Sequence, residues 1–134
     1  MIEVFTDGGA RGNPGPAAFG FVIKRDSKVI KEGYGYIGIA TNNVAEYTAV
    51  IEALSWLENR FPKADLVLYL DSKLVVSQLV GVYKVKNSKI RDLIFNIRTL
   101  EVNFGQISFR HIPREQNKEA DRLVNQALDA QIKN

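Results

Sequence analysis

Four carboxylates in this sequence have the types and spacing to act at one place, and the single histidine precedes the last of them in the chain. The carboxylates are Asp7, Glu46, Asp71 and Asp121, and the histidine is His111. Asp7 closes a strand-like run, Ile2-Glu3-Val4-Phe5-Thr6, and opens a stretch to Pro16 that holds four glycines and two prolines. A carboxylate at a strand end stands where open α/β sheets take their ligands. Glycines beside it let backbone N–H groups approach a bound group. Asp71 repeats the pattern, closing the run Leu66-Val67-Leu68-Tyr69-Leu70, which is apolar on both faces as in a strand covered on both sides. Glu46 lies three residues before Ala49 and four before Val50, in the first turn of a long helix and on its inward face. Asp121 lies three before Val124 and seven before Leu128, at the border of an apolar helical stripe. His111, the only histidine, comes ten residues earlier.

Each of these has an ordinary explanation. Asp-Gly is turn chemistry. Asn43-x-x-Glu46 has the form of a capping box, Asp71 or Ser72 could cap the following helix, and Asp121 could be a solvated helix carboxylate. A single histidine at a strand end is usually structural. Their convergence would be another matter. Carboxylates brought close together repel unless a cation neutralises them, and an all-oxygen set suits Mg²⁺ or Mn²⁺ rather than zinc.

The elements that must position these residues follow from periodicity. Ala17 to Lys24 and Val29 to Ile37 alternate as strands around the polar turn Arg25-Asp26-Ser27-Lys28, which predicts an antiparallel meander with the opening strand. A helix is expected from Thr41-Asn42-Asn43 to about Arg60, with Ala45, Ala49, Val50, Ala53, Leu54, Trp56 and Leu57 as its apolar stripe. After the Leu66–Leu70 strand come a short helix and a connection from Gly81 to Asn87. An amphipathic helix over Ile90–Leu100, a strand over Gln106–Ile112 and a helix over about Glu115–Ile132 complete the chain. The order β-β-β-α-β-α-α-β-α needs antiparallel pairing early and parallel pairing later. The expected fold class is α/β: a mixed five-stranded sheet flanked by helices, as one domain over 1–134. If the first and fourth strands pair in parallel, Asp7 and Asp71 project side by side with Glu46 next to them.

Composition narrows the function. The 134 residues suit one core, and the absence of cysteine excludes disulfides and thiolate metal sites. No apolar run approaches membrane-spanning length and no secretory signal opens the chain, so a cytoplasmic protein without membrane attachment is expected. Net charge is +3, but residues 73–98 carry Lys73, Lys84, Lys86, Lys89, Arg91 and Arg98 against Asp92 alone. Such a basic stripe on a near-neutral body can serve as a nucleic-acid footprint.

Four segments together resemble type 1 ribonuclease H, the enzyme that cuts the RNA strand of an RNA–DNA hybrid. They are TDGGARGNPGPAAFG at 6–20, TNNVAEYTAVIEAL at 41–54, LYLDS at 68–72 and HIPREQNKEAD at 111–121. They cover essentially the whole chain in order, and four segments in register are far more specific than any one. The resemblance implies a ribonuclease H-like fold in which Asp7, Glu46, Asp71 and Asp121 hold two metal ions and His111 helps transfer protons or release product. It further implies that Gly9, Asn13, Thr41, Asn42 and Asn43 lie against the nucleic-acid backbone, with Arg11, Lys73 and Asn117 among the substrate contacts. In the two-metal scheme one ion activates a water and the other, about 4 Å away, stabilises the leaving 3′ oxygen. The implied products carry a 5′-phosphate and a 3′-hydroxyl. Strand choice must use the 2′-OH, and base preference should be weak. A monomer with no obligate protein partner is expected.

Lys73 stands where well-known members frequently have a glutamine, and His111 sits in Arg-His-Ile-Pro rather than in their glycine-containing loop. Many members also carry an extra helix and a basic, tryptophan-rich protrusion where this chain has only Gly81 to Ser88. Two rival readings keep the same fold: a non-catalytic nucleic-acid-binding module, which would have lost carboxylates that are all present here, and a nuclease acting on double-stranded RNA.

Overall fold

The computed structural model describes residues 1–132. Its elements are β1 (Ile2–Ala10), β2 (Gly15–Arg25), β3 (Lys28–Ala40), α1 (Asn42–Glu58), β4 (Leu66–Leu70), α2 (Lys73–Leu79), α3 (Ser88–Glu101), β5 (Ile107–His111), a 3₁₀ turn at Arg114–Gln116, and α4 (Lys118–Ile132). The five strands form one sheet in the order β3-β2-β1-β4-β5. β1 is antiparallel to β2, and β2 to β3. β1–β4 and β4–β5 are parallel. This is the expected mixed sheet. The β2–β3 hairpin turns on Asp26 and Ser27, both with positive φ (52° and 66°), the handedness that two-residue hairpin loops require.

One layer of core lies between the sheet and α1. Val4, Ile23, Leu54, Leu57, Leu66, Leu68, Leu70 and Ile97 are all essentially inaccessible within one apolar cluster. The stripe foreseen for α1 is the buried one, except that Trp56 is only partly covered and lies beside Phe61 and Arg60. A smaller cluster on α4, Val124, Ala127 and Leu128 against Ala18, covers the other face of the early strands. No helix among the described residues is long and apolar enough to cross a membrane.

Three local expectations need correction. β1 does not stop at Asp7. It stays paired with β2 through Gly8↔Phe19, Gly9↔Ala18 and Ala10↔Ala17. Gly8 serves as a strand residue because other backbone passes too close for a side chain: a Cβ there would collide with the backbone of Ala45 and Glu46. Asp7 still meets a sheet edge, since the ladder with β4 ends one residue earlier at Thr6↔Leu70. Second, α1 is capped by Thr41, whose Oγ1 accepts from the Val44 N–H at 3.2 Å, so the Asn43–Glu46 capping box does not form. Third, the last helix begins at Lys118 after the separate 3₁₀ turn, not at Glu115.

Candidate active site at the end of the central strands

Three chain segments deliver carboxylates to one point. Asp7 comes from the central strand just past the last β1–β4 pair. Asp71 follows Leu70 where β4 leaves the sheet, and Glu46 comes from the first two turns of α1. Each of the three offers an oxygen within 4.8 Å of the others. Local chemistry frees them for this. Ser72 Oγ caps α2 by accepting from the Val75 N–H, which leaves Asp71 without a capping duty. Thr41 caps α1, which leaves Glu46 free to reach the sheet, where its Oε1 accepts a 2.7 Å hydrogen bond from the Gly8 N–H.

Burial and the neighbouring carboxylates disfavour the charged forms of Asp7 and Glu46. Asp7 and Glu46 are 7% and 6% exposed. Burial, followed by the charges of Asp71 and Asp121, raises Asp7 from the ordinary 3.8 to about 8. Burial and the charge of Asp7 push Glu46 well above its ordinary range, with the Gly8 N–H pulling modestly the other way. Folding therefore collects acidic oxygens that cannot all carry charge together unless a positive ion joins them. The donor set is oxygen only and fits a hard divalent cation. Asp121 stands on the first turn of α4, outside the tight group of three, yet near enough for its charge to press on Asp7.

The remaining expected residues fall into three groups. His111 is exposed at the end of β5 and pairs with Leu70, the residue before Asp71. Gly9 is partly buried in β1, and a Cβ there would make only an ordinary 3.6 Å contact with Val124. Asn13 and Asn42 staple the glycine loop to α1: Asn13 Oδ1 accepts from the Asn42 N–H at 3.0 Å, and Asn42 Oδ1 accepts from the Ala10 N–H at 2.8 Å. Asn13, Thr41 and Asn43 line a groove together with Lys84, Lys86, Asn87 and Lys89. The basic connection thus shares a groove with the loop expected to lie against nucleic acid. Arg11 is exposed and engaged with Asp129 at 2.7 Å, and Lys73 is an exposed first residue of α2.

Asn117 differs from the others. It is 1% exposed, which sets it apart from the surface contacts implied by resemblance. Its Nδ2 donates to the Thr6 carbonyl at 2.8 Å and to Asp71 Oδ2 at 3.0 Å. Gly8 is expected in a loop, yet its N–H holds Glu46. The signal was the sequence Asp-Gly-Gly itself, since an open turn does not need two consecutive residues without side chains.

Comparison with known proteins fits this geometry. The profile of a family described as "Reverse transcriptase-like" matches residues 5–127. "Ribonuclease HI" of Halobacterium salinarum is 42% identical over 129 residues, covering 96% of this chain. The crystal structure of LC11-RNase H1 in complex with RNA/DNA hybrid superposes with a TM-score of 0.94 at 42% identity, covering 98% of this chain and 99% of that one. The chain belongs to the type 1 ribonuclease H family. Within that ribonuclease H family it also resembles "Bifunctional protein Rv2228c" of Mycobacterium tuberculosis, 40% identical over 131 residues and 96% of this chain. The chain spans 36% of the length of that mycobacterial relative and 64% of the halobacterial one.

Proposed function

We propose that this domain is a metal-dependent endonuclease that hydrolyses the RNA strand of RNA–DNA hybrids, leaving 5′-phosphate and 3′-hydroxyl ends. The observation that carries the reading is the set of oxygens from Asp7, Glu46 and Asp71 within 4.8 Å of one another at the end of the central strands. The membership of the chain in the ribonuclease H family and the hybrid bound by LC11-RNase H1 support the substrate class.

Asp7, Glu46 and Asp71, with Asp121 beside them, are the residues that would hold two ions, Mg²⁺ or Mn²⁺. Bound there, such ions would supply a water of lowered pKa for attack and charge stabilisation for the leaving oxygen. The protein's own part is positional. Gly8 orients Glu46, and the rigid β1–β4 ladder fixes the separation of Asp7 from Asp71. His111, exposed one step from Asp71 in the sheet, is placed to exchange protons with solvent or to help product leave. Asn13, Thr41 and Asn43 meet the hybrid backbone in the groove that they line together with Lys84, Lys86 and Lys89, with Gly9 and Asn42 as further backbone contacts. Lys73 and Arg11 extend the positive surface. Contacts of this kind read the shape and sugar of a hybrid rather than its bases. The domain acts as a monomer in the cytoplasm.

The deciding experiment incubates the protein with Mg²⁺ or Mn²⁺ and four duplexes: RNA–DNA, RNA–RNA, DNA–DNA, and DNA with one ribonucleotide. Cleavage of the RNA strand of the hybrid, abolished by EDTA, is expected. Equal cutting of the DNA strand would overturn the reading, and preference for RNA–RNA would move the substrate class to double-stranded RNA.

A further inference from the structure

Asn117, like its neighbour Thr6, is a buried polar side chain whose role the proposed chemistry leaves open. It sits between the 3₁₀ turn and α4 and reaches across 111 residues of sequence to the Thr6 carbonyl. Thr6 and Leu70 form the last pair of the parallel β1–β4 ladder, and Asp71 is the next residue of the departing strand. The side-chain amide therefore bridges the two central strands at the point where they part.

The orientation of this amide is dictated by its partners. Both acceptors, a carbonyl and a carboxylate, can only accept, so the amino group must face them and both its protons are used. Rotating the amide by half a turn would aim Oδ1 at two oxygens. In the orientation present, Oδ1 is buried with no hydrogen-bond partner among the described residues. An asparagine optimised for the fold alone would not leave that atom uncompensated. The cost is borne while both donors serve Thr6 and Asp71.

We infer that Asn117 is a positioning residue: it commits Asp71 Oδ2 and fixes the rotation of that carboxylate, so that Asp71 presents Oδ1 to the cation shared with Asp7 and Glu46. The hydrogen bond ties α4 to the end of β4, so the same contact couples the helix carrying Asp121 to the carboxylate at the sheet edge. Asn117 acts through Asp71 and does not touch the hybrid. This inference rests on the proposed use of the acidic cluster as a cation site.

The test compares wild type, Asn117→Ala and Asp71→Asn. Mn²⁺ affinity is read by electron paramagnetic resonance, and hybrid affinity is read separately in EDTA. Removing a residue that orients a metal-binding side chain typically weakens metal binding by about 10–100-fold. That loss is expected for Asn117→Ala, with hybrid affinity in EDTA unchanged and no further loss when Asn117→Ala is added to Asp71→Asn. Unaltered Mn²⁺ affinity with only a lower melting temperature would make Asn117 a structural brace and overturn the inference. Weakened hybrid binding in EDTA with unaltered Mn²⁺ affinity would make it a substrate contact and overturn it equally. Wild type that binds Mn²⁺ no better than Asp71→Asn would sink the cation site itself, and the inference with it. A measurement on wild type avoids any folding defect. The two Asn117 amide protons should exchange slowly with solvent and shift when Mg²⁺ is added, and a rapidly exchanging pair indifferent to Mg²⁺ would overturn the proposal.

Discussion

The Gly8 N–H donates to Glu46 Oε1 at 2.7 Å, joining the central strand to the start of α1 across 38 residues of sequence. The same closeness leaves no room for a side chain at Gly8, where a Cβ would run into the Ala45 backbone. Gly8→Ala should therefore destabilise the domain by about 3 kcal/mol, the upper end of overpacking effects, because backbone rather than a flexible side chain must yield. It should also slow cleavage about 100-fold by displacing Glu46. Gly9→Ala is the contrast: its Cβ meets Val124 at 3.6 Å, so stability should hold within about 1 kcal/mol while hybrid affinity falls. Urea unfolding alongside cleavage rates separates the two, and equal destabilisation by both would contradict the steric distinction between them.

Asp7→Asn should abolish cleavage and leave the metal-free protein at least as stable as wild type. The change is nearly isosteric and replaces a carboxyl group whose charged form burial and the neighbouring carboxylates disfavour with a neutral amide. Wild type should gain about 2.7 kcal/mol when Mg²⁺ reaches 100 times its dissociation constant, and the variant should gain far less. Thermal melts with and without Mg²⁺ measure both. A large loss of stability in the metal-free variant would make Asp7 a structural residue.

The acidic cluster predicts how stability without metal depends on pH. Asp7 titrates near 8 when folded against an ordinary 3.8, so between those values the folded chain holds a proton that the unfolded chain has released. Stability from this source is complete below about pH 4 and is lost as pH rises through 8. The slope is at most about 1.4 kcal/mol per pH unit for each such group. In EDTA, unfolding free energy should fall from pH 5.5 to pH 8.5, and Asp7→Asn should flatten that fall. Mg²⁺ should oppose it, because the ion replaces the proton. A free energy that climbs over this range in EDTA would contradict the assignment.

Lys84 and Lys86 line the same groove as Asn13, Thr41 and Asn43. If both meet phosphates, Lys84→Ala/Lys86→Ala should reduce the slope of log affinity against log salt by roughly 0.7–0.9 for each lost contact. Hybrid affinity would be titrated with Asp7→Asn as the background to prevent cutting. An unchanged slope would shift the binding surface toward Arg114 and Lys118.

His111→Ala should slow turnover without ending it. A positioned proton-transfer group is worth about 10²–10⁴-fold, and the carboxylate cluster does not depend on this exposed ring. Turnover equal to wild type would leave His111 as an ordinary strand-end residue.

The carboxylates were legible because each sits where a hydrophobic pattern breaks. Asp71 follows five strand residues and Glu46 interrupts the inward stripe of α1, so element order alone brought them near Asp7. Less visible were features decided by contacts distant in sequence. Gly8 and Gly9 carry turn chemistry, yet both are strand residues paired with β2, and at Gly8 the closeness of α1 leaves no space for anything larger. Thr41, Asn42 and Asn43 can all cap a helix, and nothing local says that Asn42 is claimed by Ala10 and leaves the cap to Thr41. Asn117 lies in a run of polar residues that reads as surface, and its burial follows from how the 3₁₀ turn brings α4 over the strand ends.

The exposed connection from Gly81 to Asn87 makes the domain divisible. A cut there leaves Asp7, Glu46 and Asp71 on one polypeptide, and His111, Asn117 and Asp121 on the other. Neither piece would carry a complete centre. Rejoining would depend on β5 docking beside β4 and on Ile97 returning to the core under α1. If the proposed cleavage holds, the domain can be made conditional: fused to two proteins that meet only on demand, its halves would report their encounter by cutting.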